Sequence, residues 1–126
     1  MSSLYNLVLN NNNLTDAIIE AIQDKKGSAL CHINLRKVTS APSYEFIIAQ
    51  GKTPTQTSAI ADNIIDKTIE RCARKPVKVD GVRNGQLIIL DYGEIMVHLF
   101  VPEFREFYNL EDLWSDGEIT NIPDLD

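Results

Sequence analysis

Residues 87–114 read LIILDYGEIMVHLFVPEFREFYNLEDLW, and this stretch decides the fold. Two apolar runs, Leu87 to Leu90 and Ile95 to Val101, flank Asp91-Tyr92-Gly93-Glu94. Short apolar runs broken by an Asp- and Gly-bearing turn predict a β-hairpin. Pro102 cannot donate to a ladder, so it halts the second strand. Beyond it, Phe104, Arg105, Phe107, Tyr108 and Trp114 crowd into two short helical turns. Aromatics at that density either fold back to seal a sheet or form an interface, and we expect most to seal while one or two stay exposed.

Working outward, Val77 to Val79 predicts a short strand, with turn signals at Asp80-Gly81 and Asn84-Gly85. The longest helix is expected over Thr55 to Arg74, where Ile60, Ile64, Ile65, Thr68 and Ile69 recur at three and four spacing and Pro76 ends the run. Before it, Tyr44 to Gln50 is almost continuously apolar, as in a central strand buried on both faces. Ala29 to Leu35 predicts another strand, and Thr15 to Lys26 a helix with Thr15 or Asn13 as its cap. Residues 1–13 read as a flexible lead-in, 14–117 as the domain, and 118–126 as an acidic tail. The order implies a single α/β domain, a mixed central sheet flanked by helices, with a right-handed crossover through the long helix.

The chain has 126 residues, enough for one core without metals or disulfides. Eighteen acidic against twelve basic residues leave a net charge of -6. That charge argues against specific nucleic-acid binding, which needs cations to displace phosphate counterions, and favours a basic protein partner. No apolar run reaches the roughly 20 residues of a membrane helix. The start, MSSLYNLVLNNNN, lacks the basic segment and cleavage site of a secretory leader. With Cys31 and Cys72 far apart, the expectation is a cytoplasmic protein with reduced, hydrophobe-like cysteines.

Three patterns invite chemistry. Gly51-Lys52-Thr53 lies between a strand and a helix, yet Phe46 stands where a phosphate-binding loop needs its first glycine. We therefore read it as a helix start capped by Thr53 or Thr55. Cys31, His32, Cys72 and His98 match no zinc spacing, and Cys31 and His32 would face opposite sides of a strand. No metal and no cofactor is expected. Asp91 and Glu94, with Asp80 near, lack a nucleophile or basic partner, so solvated or backbone-bonding turn carboxylates are expected rather than catalytic ones. His98 is expected to bond a backbone or carboxylate partner inside the strand.

The ordered set Leu90-Asp91-Tyr92-Gly93-Glu94, Val97-His98-Leu99-Phe100, Arg105, Phe107-Tyr108, Leu110-Glu111 and Leu113-Trp114 closely resembles the ribosomal silencing factor (Iojap-related) family. Upstream, Tyr44 to Ile48 with Gly51, Ala59 to Asp62 and Asp80-Gly81 extend the resemblance over roughly residues 14 to 117. It implies a nucleotidyltransferase-like fold without catalytic residues. It also implies binding to the large ribosomal subunit through ribosomal protein fourteen, and a steric block of subunit joining that represses translation. The partner-binding face it implies comprises Leu87, Asp91, Tyr92, Glu94, His98 and Arg105. Leu87 stands where the family commonly carries tryptophan, and Tyr92 is the candidate replacement anchor. Two alternatives stand beside it: a residual nucleotide-binding or nucleotidyltransferase-like enzyme using Gly51 to Thr53 and Asp91, and a homodimer or acidic scaffold whose sheet pairs with itself.

Overall fold

The computed structural model describes residues 3–125, with side chains from Leu14 onward. The elements run α1 (Ser3–Asp24), β1 (Ser28–Asn34), β2 (Glu45–Gln50), α2 (Pro54–Cys72), β3 (Lys78–Asp80), β4 (Leu87–Asp91), β5 (Ile95–Phe100), α3 (Pro102–Tyr108), α4 (Leu110–Leu113) and β6 (Glu118–Ile122). They form one six-stranded sheet in the order β3-β4-β5-β2-β1-β6. β2 and β5 are parallel and every other neighbouring pair is antiparallel. The mixed α/β architecture expected from the sequence is the one observed.

Alternation along the strands divides the core in two. Ile47 and Ala49 of β2, Ile88 and Leu90 of β4, and Val97 and Leu99 of β5 face α1 and α2. Those helices contribute Leu14, Ile18, Ala21 and Ile22 on one side and Ile60, Ala61 and Ile64 on the other. Each buried leucine, isoleucine or valine here contributes about 1.5–3 kcal/mol by leaving water, so this face supplies most of the stability. The opposite face carries Cys31, Ile33, Leu35, Phe46, Ile48 and Phe100. Its cover is thinner: Val38 and Ala41 from the β1–β2 loop, and Phe104, Leu110 and Trp114 from α3 and α4.

α2 starts at Pro54, whose missing N–H is no loss in a first turn, and Thr53 caps it by accepting from the Gln56 amide at 3.2 Å. It ends at Cys72, two residues before the expected end. Ala73 turns left-handed at φ 53° and donates its N–H to the Ile69 carbonyl. α1 runs from Ser3, so Thr15 lies inside the helix and not at its cap. The lead-in expected over residues 1–13 falls outside the described side chains.

One boundary needs correction. Residues 118–122, set apart in the sequence as tail, form β6 and pair with β1 from Leu30–Ile122 to Asn34–Glu118. The ladder satisfies the outer backbone groups of β1, Ile122 packs on the core, and Asp124 accepts from the Ala29 amide at 3.0 Å. Most β6 side chains are exposed, which is why their composition resembles a tail.

Candidate functional site

The β4–β5 turn is built from its own side chains. Gly93 adopts φ 91°, and Asp91 Oδ1 accepts its amide at 2.8 Å, so Asp91 closes the turn as a backbone-bonding carboxylate. The Glu94 carbonyl accepts from the Tyr44 and Glu45 amides, tying the turn to the start of β2. Glu94 also takes a two-pronged bond from Arg74 at 2.7 and 3.0 Å, and the guanidinium holds its carboxyl below the usual range. Both carboxylates therefore act structurally.

Tyr92 departs from expectation. It is 2% exposed, packs with the α1/α2 core, and its hydroxyl shares a 2.8 Å hydrogen bond with Thr68. Burial pushes its phenol pKa up. It offers no surface in place of the family tryptophan. The reason is parity: Tyr92 continues the inward row of Ile88 and Leu90.

His98 also differs. It is 5% exposed, with its ring 4.6 Å from Phe46 and stacked 6.4 Å from Phe100. Its Nδ1 is the one buried side-chain polar atom without a hydrogen-bond partner among the described residues, so the expected backbone or carboxylate bond is not made. Burial lowers its pKa to about 4, which keeps the ring neutral at physiological pH. Arg105, expected on an exposed face, is only 12% exposed at its side chain. It pairs with Glu111 at 3.0 Å and donates to the Ala29 carbonyl and to Gln50 at 3.3 Å. It pins α3 and α4 to the bulged start of β1.

Of the six expected contact residues, Leu87 and Asp91 are partly accessible and Glu94 is held by Arg74. Leu87 packs beside Phe100, its partner across the β4–β5 ladder. Ile89 and Met96 share its face by register, and all three are half-buried because no long helix crosses them. Phe100 continues this row to Tyr108 at 6.0 Å, and Tyr108 meets Phe107 edge-on at 5.3 Å. Phe107 is 82% exposed, and Tyr108 and Leu113 are exposed as well. Glu103, Phe104, Phe107 and Tyr108 line a cavity of about 450 Å³. Glu106 and Asp112, both exposed, belong to the same two helices. Phe104, Phe107 and Tyr108 stand at i, i+3 and i+4 on one helical face, so the spacing alone does not separate the sealed Phe104 from the exposed Phe107.

The other chemical candidates are occupied. The Gly51 amide donates to the Phe100 carbonyl and the Lys52 amide to Gln56 Oε1 at 2.7 Å, leaving no amide cradle for phosphate. Cys31 is buried, its thiol pushed up to about 11 by desolvation, while His32 points to the other face and meets Glu45 at 2.6 Å. Beside the β1–β2 loop, a cavity of about 500 Å³ contains Arg36 and Glu94, but Arg36 pairs with Glu45 at 2.7 Å and Glu94 with Arg74.

Residues 9–126 match the family model described as "Ribosomal silencing factor during starvation". The chain is 31% identical over 110 residues to "Ribosomal silencing factor RsfS" of Zymomonas mobilis, covering 87% of this chain and 81% of that one. It is 27% identical over 114 residues to the protein of the same name from Halalkalibacterium halodurans, with 90% and 96% coverage. A crystal structure of a Chromobacterium violaceum protein superposes with a TM-score of 0.76 at 28% identity, covering 82% of this chain and 85% of that one. With the family model spanning nearly the whole sequence and this fold, the chain belongs to the ribosomal silencing factor family.

Proposed function

We propose that this protein is a non-enzymatic repressor of translation in the cytoplasm. It binds large-subunit ribosomal protein fourteen and blocks subunit joining by occupying the docking face. The observation that carries this reading is the half-buried Leu87, Ile89 and Met96 on the thinly covered sheet face, with the exposed Phe107 on α3, on a domain of net charge -6. Aromatic and aliphatic groups supply the desolvated centre of a protein contact, while Glu103, Glu106 and Asp112 suit a basic ribosomal protein at its rim. The same acidity favours protein contact over specific contact with ribosomal RNA. The occupied amides at Gly51 and Lys52 and the committed turn carboxylates support action without catalysis.

The test is co-sedimentation with purified large subunits, followed by a subunit-joining assay. Leu87→Glu and Phe107→Ala are each expected to weaken binding about ten-fold or more, on the scale of interface hot spots, and to restore joining in proportion. Undiminished binding by both variants overturns the surface. Binding without inhibition of joining overturns the steric mechanism.

A further inference from the structure

Ala29, near the start of β1, is left-handed at φ 50°, a conformation that a Cβ disfavours. The β1–β2 register steps there from Ser28–Gln50 to Cys31–Ile48, and Ala29 is left out of both ladders. Side chains take its backbone groups instead. Asp124 accepts its N–H at 3.0 Å, and Arg105 donates to its carbonyl. The same guanidinium reaches Gln50 of β2 at 3.3 Å, and Glu111 of α4 through Nε at 3.3 Å and Nη2 at 3.0 Å. One side chain of α3 thus joins three other elements. A lysine could not do so, because its ammonium lacks the planar fork.

α3 needs such an anchor. It has seven residues, none of them buried, and no side-chain cap at its N-terminus, and α4 adds four residues more. Helices this short are marginal by themselves, so outside bonds decide how they lie. Phe104 packs on the sheet and Tyr108 lies 6.0 Å from Phe100, but apolar contact is non-directional and tolerates a roll of the helix. A planar fork with fixed acceptors does not. Arg105 and Phe107 are two residues apart, and helical geometry turns them about 160° from one another. With Arg105 held inward, Phe107 is driven outward into solvent. We infer that Arg105 is the positioning residue of the surface proposed above: bonded to the Ala29 carbonyl, it sets the roll of α3 and thereby presents Phe107 to the partner. This inference rests on that reading of the surface.

Arg105→Gln, Phe107→Ala and the double variant are compared in the full chain by amide hydrogen exchange and by co-sedimentation with large subunits. In Arg105→Gln the α3 and α4 amides are expected to exchange at least about ten-fold faster, while those of α2 and β5 keep their protection. Its binding should fall as far as that of Phe107→Ala, about ten-fold, and the double variant should lose little more, because both substitutions remove the same contact. An arginine that only stabilises the fold, or that touches the partner itself, would give losses that add. If Arg105→Gln loses protection throughout the domain, Arg105→Lys, which keeps the charge beside Glu111, replaces it in the same comparison. Loss throughout in both variants overturns the inference. So do unchanged exchange in α3 and α4, additive losses in the double variant, or undiminished binding by Phe107→Ala alone. Undiminished binding by Phe107→Ala and Leu87→Glu alike overturns the surface itself, and accelerated α3 exchange in Arg105→Gln distinguishes that failure from a failure of the anchor.

Discussion

The two faces of the sheet were given unequal cover. On one, α1 and α2 bury a continuous aliphatic layer and leave even the Tyr92 hydroxyl paired. On the other, a loop and two short helices cover the β1, β2 and β5 side and stop short of Leu87, Ile89 and Met96. Stability is concentrated where two long helices meet the sheet, and the proposed recognition surface lies on the face where cover runs out. A residue's aromatic character does not say which task it serves, and the layer over it does.

The sharpest way to break this comparison is to truncate one tyrosine on each side. Tyr92→Ala should cost about 3–5 kcal/mol, because it opens a cavity and leaves the Thr68 hydroxyl with only its bond to the Ile65 carbonyl. Tyr108→Ala, at the exposed end, should cost less than about 1 kcal/mol. Urea denaturation measures both, and equal losses would erase the distinction between the faces.

His98 sharpens the comparison through pH. Its folded pKa lies near 4 against 6.5 when unfolded, so between those values the unfolded chain binds the extra proton. Stability should therefore fall as pH drops from 6.5, the loss becoming complete near pH 4 at roughly 3 kcal/mol. His98→Leu should flatten that limb. The lowered Glu45 and Glu94 carboxyls contribute stability present above 4.5 that is lost at lower pH, so their limb remains in the variant. An unchanged slope between pH 6.5 and 4.5 in His98→Leu would remove the histidine from this account.

The smallest effect belongs to the outside of the helical layer. Glu20 meets Lys67 at 3.3 Å and Arg71 at 2.5 Å, joining α1 to α2 in open solvent. Solvent and salt screen such pairs, so Glu20→Gln should leave the urea midpoint close to that of the unmodified chain. A large drop would mean that ion pairs, and not the aliphatic layer, hold the helices.

Much of the fold is legible in the chain because it rests on local periods. The continuous run Phe46 to Ala49 marks a strand buried on both faces, and the Asp-Tyr-Gly-Glu turn marks a hairpin. The ordered motifs from Leu90 to Trp114 also announced the family that the comparisons establish. The site was legible only in part. Parity indicates that Tyr92 and Leu87 face opposite sides, but not which side a long helix will close. The pairing of Arg105 with Glu111 and Ala29 joins elements far apart in sequence, so no local pattern predicts it.

The sequence by itself determined the α/β class, the hairpin, the α2 helix and the family. Periodicity, turn chemistry and motif order are properties of neighbouring residues. Tertiary structure decided that β6 completes the sheet, that Tyr92, His98 and Arg105 are withdrawn into packing or pairing, and that Phe107 stays outside. Those outcomes depend on which layer reaches which strand and on the roll of α3 against Phe100. They are set by the competition of distant segments for the same apolar surface.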